Sequence, residues 1–140
     1  LMKTSFFSQY FDSFVEHLQK DVETLADLNM SLVQWGCDEL SIGTRMLKAS
    51  DLGVPGKKER LLNNICLALS ATTYLSPEGS KVYLGPGEIF EENGIKIIFQ
   101  RYPHPIYKQA FGDFISHLAF VDGLFNLGST KLRSLIDCRL

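Results

Sequence analysis

Apolar residues recur at three- and four-residue spacing from Ser5 to Leu18, at Phe7, Phe11, Phe14, Val15 and Leu18. This spacing predicts an amphipathic helix whose buried face is aromatic. Thr24, followed three positions on by Asp27, has the form of a capping box with Asp in place of Glu. Leu25, Leu28, Leu32 and Trp35 then mark the stripe of a second helix to about Leu40. The two helices predict a hairpin over about 4–40.

After Gly43 the pattern shortens. The run 44–50 reads as a strand of poor alternation, Pro55-Gly56 marks a turn, and Leu61, Leu62, Ile65 and Leu69 predict a helix from about Lys57 to Ser70. A strand follows at Thr73-Tyr74-Leu75. The helical stretch begun near Ser80 is broken by Gly85-Pro86-Gly87 into two short pieces. Another strand covers Ile95 to Arg101. Strands alternating with helices predict crossovers and a parallel sheet. The fold class is therefore α/β, a small parallel-stranded, Rossmann-like sheet flanked by helices, with the strand-helix-strand core at about 44–102. Pro103-His104-Pro105 forces an extended path. A last helix is expected from about Ser116 to Asn126, with Gly128 as its stop, inside a C-terminal part of about 103–136.

The length of 140 residues suits one domain, 1–140, with its own core. A composition 45% hydrophobic and 21% charged, with net charge −2, is that of a globular protein and excludes both a disordered tail and a basic nucleic-acid binder. No apolar run has the length of a membrane span. Cys37, Cys66 and Cys138 lack CxxC spacing and read as reduced thiols, so the expected location is cytoplasmic. The three histidines form no HxH, HExxH or Cys/His cluster, so no metal and no cofactor is expected.

In parallel α/β sheets ligands collect at the C-terminal ends of strands. Two loops are expected there. Residues 50–60 carry Lys57 and Arg60 to the start of a helix. Residues 76–81 offer Ser76, Gly79, Ser80 and Lys81, where glycine permits close approach and hydroxyl and ammonium suit an anion. Neither loop has Walker A spacing, and the competing reading is that Ser80 caps its helix while the lysines are solvated. His104, held between two prolines, and Asp122, four residues before Asn126 on one side of the last helix, are the candidate proton-handling groups. Structural alternatives stand beside both: a packed turn residue for His104, a tie to nearby backbone for Asp122 and Asn126.

Four stretches together, ASDLGVPGKKERLLNNICLALSATTYLS, GSKVYL, FEENGIKIIFQRYPHPIY and LAFVDGLFNLG, resemble the WbqC-like family of bacterial proteins associated with surface-polysaccharide and O-antigen biosynthesis. The resemblance runs from the first helix to about Ile136. It implies a transferase acting on a nucleotide-activated sugar, an aminoacyl group such as glycine being proposed for some members. It matches Lys57, Arg60, Ser76, Gly79, Lys81, Tyr83, Gln100, Pro105, Tyr107, Asp122 and Asn126 to recurrent polar positions of the family. The chain departs from the pattern at Pro77 and Ser70, where Gly is usual, and at Ala119, often Ser. Members usually begin with a strand and a Gln-containing loop upstream of this chain's start, so an incomplete family fold is expected.

Two functions follow. One is an enzyme of polysaccharide biosynthesis with His104 and Asp122 catalytic and Lys57, Arg60, Ser76, Gly79, Ser80, Lys81, Tyr83, Gln100, Tyr107 and Asn126 binding a nucleotide-sugar or other phosphate-bearing molecule. The other is a non-catalytic binding domain that packs on a missing N-terminal half or on another copy as a homo-oligomer.

Overall fold

A computed structural model describes residues 4–85 and 87–137. It is a mixed helix and strand fold, a small α/β protein with a two-stranded parallel sheet. Its chain falls into two compact units, one formed by the segment ending at Thr44 together with the segment starting at His104, the other by Arg45–Pro103. Cys138 lies outside the described residues.

In the first unit the expected hairpin is α1 (Phe7–Leu18) and α2 (Leu25–Glu39). Thr24 caps α2 as its spacing predicts: its hydroxyl accepts the Asp27 N–H at 3.1 Å and donates to the Asp27 carboxylate at 2.6 Å. Aromatic rings weld the helices together. Phe14 lies 5.4 Å from Trp35 and 6.2 Å from Phe125, and Phe7 meets Phe125 edge-on at 5.3 Å. The Trp35 indole N–H donates to Ser13 Oγ, which lets the large ring be buried without an orphaned donor. The core is completed by Tyr10, Leu40, Leu124, Leu127 and Leu132.

The last helix, α6 (Phe120–Ile136), starts later and runs further than its periodicity predicts. Residues before it are held out of helical geometry: the Gln109 side chain accepts the Ile115 N–H and donates to the Ile115 carbonyl, and His117 has φ of 60°. Gly128, expected as a stop, is instead a break inside the helix. Its φ of 75° and ψ of 167° belong to a region open essentially to glycine, and a Cβ there would lie 2.8 Å from the Phe6 ring.

The second unit contains α3 (Lys58–Ala68), β1 (Thr73–Pro77), α4 (Lys81–Leu84), α5 (Glu88–Glu92) and β2 (Lys96–Gln100). The two strands pair in parallel, with Tyr74 opposite Ile97 and Ser76 opposite Phe99. α4 and α5 are the two short pieces that the Gly-Pro-Gly sequence predicts. Phe90, wholly buried, stacks on Tyr74 at 5.4 Å and anchors a core with Cys66, Leu84 and Ile95. The strand expected over 44–50 does not form; the chain there is irregular and ends in a 3-10 turn at Ala49–Leu52. Its alternation offers no continuous apolar face, and among the described residues no strand pairs with it.

α3 ends in a Schellman motif. The Ala71 N–H bonds the Cys66 carbonyl at 2.8 Å and the Ser70 N–H bonds that of Leu67 at 3.0 Å, which places Ser70 at φ of 52°.

Candidate functional site

In the second unit the loop after β1 is closed on itself. Ser76 and Ser80 are both buried, and their hydroxyl oxygens lie 2.6 Å apart. Ser80 donates its only hydroxyl proton to the Pro77 carbonyl at 2.6 Å, so Ser76 is the donor to Ser80. Ser80 therefore caps no helix, contrary to the structural alternative weighed for it, and its hydroxyl is spent inside the loop. A Cβ on Gly79 would meet nothing within 4 Å, so no protein group crowds that position.

Lys81, on the next turn, lies 3.2 Å from Glu78 and 4.9 Å from the centre of the Phe99 ring. Arg101 reaches the other Glu78 oxygen through Nε at 2.6 Å. The Arg101 hydrogen bond first, then that from Lys81, hold the Glu78 carboxyl below its ordinary range. Three charges thus close the C-terminal end of the strand pair. The register explains them, since Pro77 lies opposite Gln100 and the next residues in each strand direction are Glu78 and Arg101. Tyr83 is exposed and Gln100 is half-buried.

The loop before α3 has the opposite character. Because 44–50 forms no strand, this loop is a helix entry and not a strand end, which corrects the placement expected for Lys57 and Arg60. Gly56 has φ of 121°, and a Cβ on it would approach the Leu61 backbone nitrogen to 3.0 Å. The Asn64 side chain donates to the Pro55 carbonyl at 2.9 Å and ties the loop to the helix. Lys57 occupies the N-cap position with no side-chain cap. Lys57, Lys58 and Arg60 are all exposed and have no ion-pair partner among the described residues. Cations at a helix N-terminus oppose the macrodipole, so this cluster is electrostatically unspent. Arg60 also lines a cavity of about 230 Å³ whose other charged walls are Glu59, Glu88 and Glu92.

In the first unit Asp122 is the centre of a network. Its Oδ2 accepts from the Tyr107 hydroxyl at 2.8 Å and from Gln109 Nε2 at 3.0 Å, while Oδ1 accepts from Asn126 at 3.2 Å. Asn126 bonds the Asp122 carbonyl as well, at 2.8 Å. Burial, and then the bond to Asp122, push the Tyr107 phenol above its ordinary range. Asp122, Asn126 and Gln109 line a cavity of about 150 Å³ with Phe111, Ile115 and Leu118. His104 is fully engaged elsewhere: its Nε2 accepts the His117 N–H at 3.1 Å, which leaves Nδ1 as the protonated nitrogen, facing the Pro105 carbonyl at 3.1 Å.

The candidate residues therefore divide. Lys57, Arg60, Ser76, Gly79, Ser80, Lys81, Tyr83 and Gln100 belong to the second unit; His104, Tyr107, Asp122 and Asn126 belong to the first. Sequence reasoning missed Glu78, Arg101, Lys58 and Gln109. The i, i+3 spacing of Glu78 and Lys81 was a visible signal, whereas Gln109 meets Asp122 only through tertiary folding.

Among the described residues no group of three or more His, Cys, Asp or Glu is placed to hold a metal, and no helix is long and apolar enough to cross a membrane. The model of the WbqC-like protein family matches residues 1–134. The uncharacterized protein Rv1507c of Mycobacterium tuberculosis is 30% identical over 124 residues, which is 88% of this chain and 53% of that protein. The chain thus spans about half the length of this relative. No solved structure matches it.

Proposed function

The chain belongs to the WbqC-like protein family, and from that premise we propose that it is part of a transferase of surface-polysaccharide biosynthesis, with the phosphates of a nucleotide-activated sugar bound at the N-terminus of α3. The observation that carries this reading is the set of three exposed, unpaired cations, Lys57, Lys58 and Arg60, around the uncapped start of an 11-residue helix. Backbone N–H groups of a first helical turn and nearby ammonium and guanidinium groups are the donors a diphosphate uses. The loop after β1 is the weaker candidate, because Ser76, Ser80 and Lys81 are committed to one another, to Pro77 and to Glu78. In the first unit Asp122 is the candidate proton-handling group with acceptor capacity left. Among the described residues one donor, Asn126, reaches its Oδ1, whereas both ring nitrogens of His104 are engaged. Glycine, as the aminoacyl unit suggested by the resemblance, is one group such a transferase would move.

Calorimetric titration with UDP-sugars tests the reading. Binding should weaken with salt and fall about tenfold or more in Lys57→Ala/Lys58→Ala, since a hydrogen bond to a charged group contributes roughly 1.5–3 kcal/mol. Ser80→Thr and Asp122→Asn should retain it. A folded protein that binds no nucleotide-sugar, or one whose binding ignores both lysines, overturns the proposal.

A second reading, a non-catalytic interaction module, draws on exposed apolar side chains of the second unit: Val82 is 91% exposed, with Tyr83 and Leu75 exposed nearby in sequence. Sedimentation equilibrium separates the two readings. Self-association abolished by Val82→Asp would favour the module.

A further inference from the structure

The largest of the cavities described in the first unit, about 490 Å³, shares no lining residue with the one beside Asp122 and is lined by Phe6, Gln9, Tyr10, Ser129, Thr130 and Lys131 among others. That volume falls in the range, roughly 300–1,000 Å³, of sites that hold small molecules. Tyr10 is almost completely buried, and its hydroxyl is used to capacity. It accepts from Gln9 Nε2 and from the Ser129 N–H, each at 3.0 Å, and donates to Ser129 Oγ at 3.2 Å. A phenol inside the core thereby orients polar groups of α1 and α6, Tyr10 and Ser129 being 119 residues apart in sequence.

What Tyr10 leaves unused is the relevant chemistry. Among the described residues the Ser129 hydroxyl proton, the Thr130 hydroxyl, the Gln9 carbonyl oxygen and the Lys131 ammonium have no partner. One amide acceptor and two hydroxyls match the alternating donors and acceptors of vicinal ring hydroxyls. Phe6 and Leu127 supply an apolar wall for the C–H face of such a ring, and the single ammonium adds a place for one negative group. Held by a buried hydroxyl, Gln9 and Ser129 are ordered before any ligand arrives, which lowers the entropic cost of binding.

We propose that this cavity is a binding site for an anionic saccharide, a sugar ring bearing one carboxylate or phosphate. The negative group pairs with Lys131, the ring hydroxyls meet Gln9, Ser129 and Thr130, and the ring face lies on Phe6. The site is independent of the donor reading above, because its residues and those of the α3 loop belong to different units.

The test is amide chemical-shift titration of the whole chain with glucose, glucuronic acid, glucose 1-phosphate, acetate and inorganic phosphate. Glucuronic acid, glucose 1-phosphate or both should move the amides of Gln9, Ser129 and Thr130, with glucose at least about fivefold weaker. Which of the two acids binds identifies carboxylate or phosphate as the preferred group. Lys131→Gln, an exposed substitution, should reduce the acidic sugar to the affinity of glucose. Gln9→Ala should weaken acidic and neutral sugars alike, and Tyr10→Phe should do the same where it folds. Acetate or phosphate binding as tightly as the sugars would leave an anion site only and overturn the proposal. So would the absence of any shift at these amides, or acidic-sugar affinity unchanged in Lys131→Gln. Loss of nucleotide-sugar binding at Lys57 and Lys58 would leave the proposal untouched.

Discussion

The hydroxyl groups of Ser76 and Ser80 lie 2.6 Å apart in a buried pair, and Ser80 passes the chain of donation on to the Pro77 carbonyl. The pair is a closed circuit that leaves no hydroxyl proton for a ligand. A loop that looks equipped for an anion in the sequence is in the fold a turn fastened from within.

Ser80→Ala should therefore act on stability. It removes the acceptor of Ser76 and the donor of Pro77 at once, and a buried polar group left unsatisfied costs about 1–3 kcal/mol. Urea denaturation should show this loss with an unchanged slope against denaturant, and nucleotide-sugar binding should persist in the folded fraction. Unaltered stability would mean that the pair carries no weight.

Two residues at helix ends, Ser70 and Ala119, should be replaceable to advantage. Ser70 has a left-handed backbone at the end of α3, and Ala119 is the N-cap of α6 with no side chain able to accept an N–H. Ser70→Gly relieves the left-handed strain, and Ala119→Ser supplies a cap three residues before Asp122. Each should raise stability by about 0.5–1 kcal/mol, additively, because the sites belong to different units. Thermal denaturation of the two single variants and the double variant checks it.

Gly128→Ala should be strongly destabilising. The backbone there is in a region that costs other residues about 1–3 kcal/mol, and the added methyl would press on Phe6. Phe6→Leu in the same background should recover only the steric part, so calorimetry of the pair separates strain from clash.

The Glu78 carboxyl should titrate below the ordinary glutamate range when followed by carbon NMR, because Arg101 and Lys81 stabilise its charged form. The sign follows from the lowered folded value. The stabilisation is present above the pKa of the unfolded chain and is lost as the pH falls through the folded one. Glu78 is exposed to solvent and screened, so the effect on stability is small. Arg101→Gln should return the titration most of the way towards normal, and Lys81→Gln by less.

Tyr107 should ionise above the ordinary tyrosine range in an ultraviolet titration, chiefly from burial and secondarily from its bond to Asp122. Its neutral form is the one the fold favours, so that contribution is intact below the unfolded pKa and is lost as the pH rises through the folded one. Asp122→Asn should bring the midpoint part of the way down. A midpoint unchanged by that substitution would leave burial as the whole cause.

Local chemistry was legible in the chain wherever a feature is decided within one helical turn or one turn motif. The Thr24 and Asp27 cap, the aromatic face of α1 and the break between α4 and α5 all rest on neighbours in sequence. The run 44–50 failed because a strand is a relation between two segments, and spacing cannot say whether a partner is available. α6 was misplaced at both ends for the same reason. Gln109 holds Ile115 out of the helix, and Gly128 bends the helix where Phe6 packs on it.

Residue type alone thus determined the α/β class, the helical hairpin and the supply of cations and carboxylates from which a site is built. Tertiary structure decided which of those groups are already used. Lys81 is paired with Glu78 and shares it with Arg101, Ser80 is consumed by Ser76 and Pro77, and Asp122 collects Tyr107, Gln109 and Asn126, while Lys57, Lys58 and Arg60 stand exposed and unpaired. The reason is physical. A polar group's capacity to bind a ligand is what remains after its partners within the fold have been satisfied, and those partners lie next to it in space, not only along the chain.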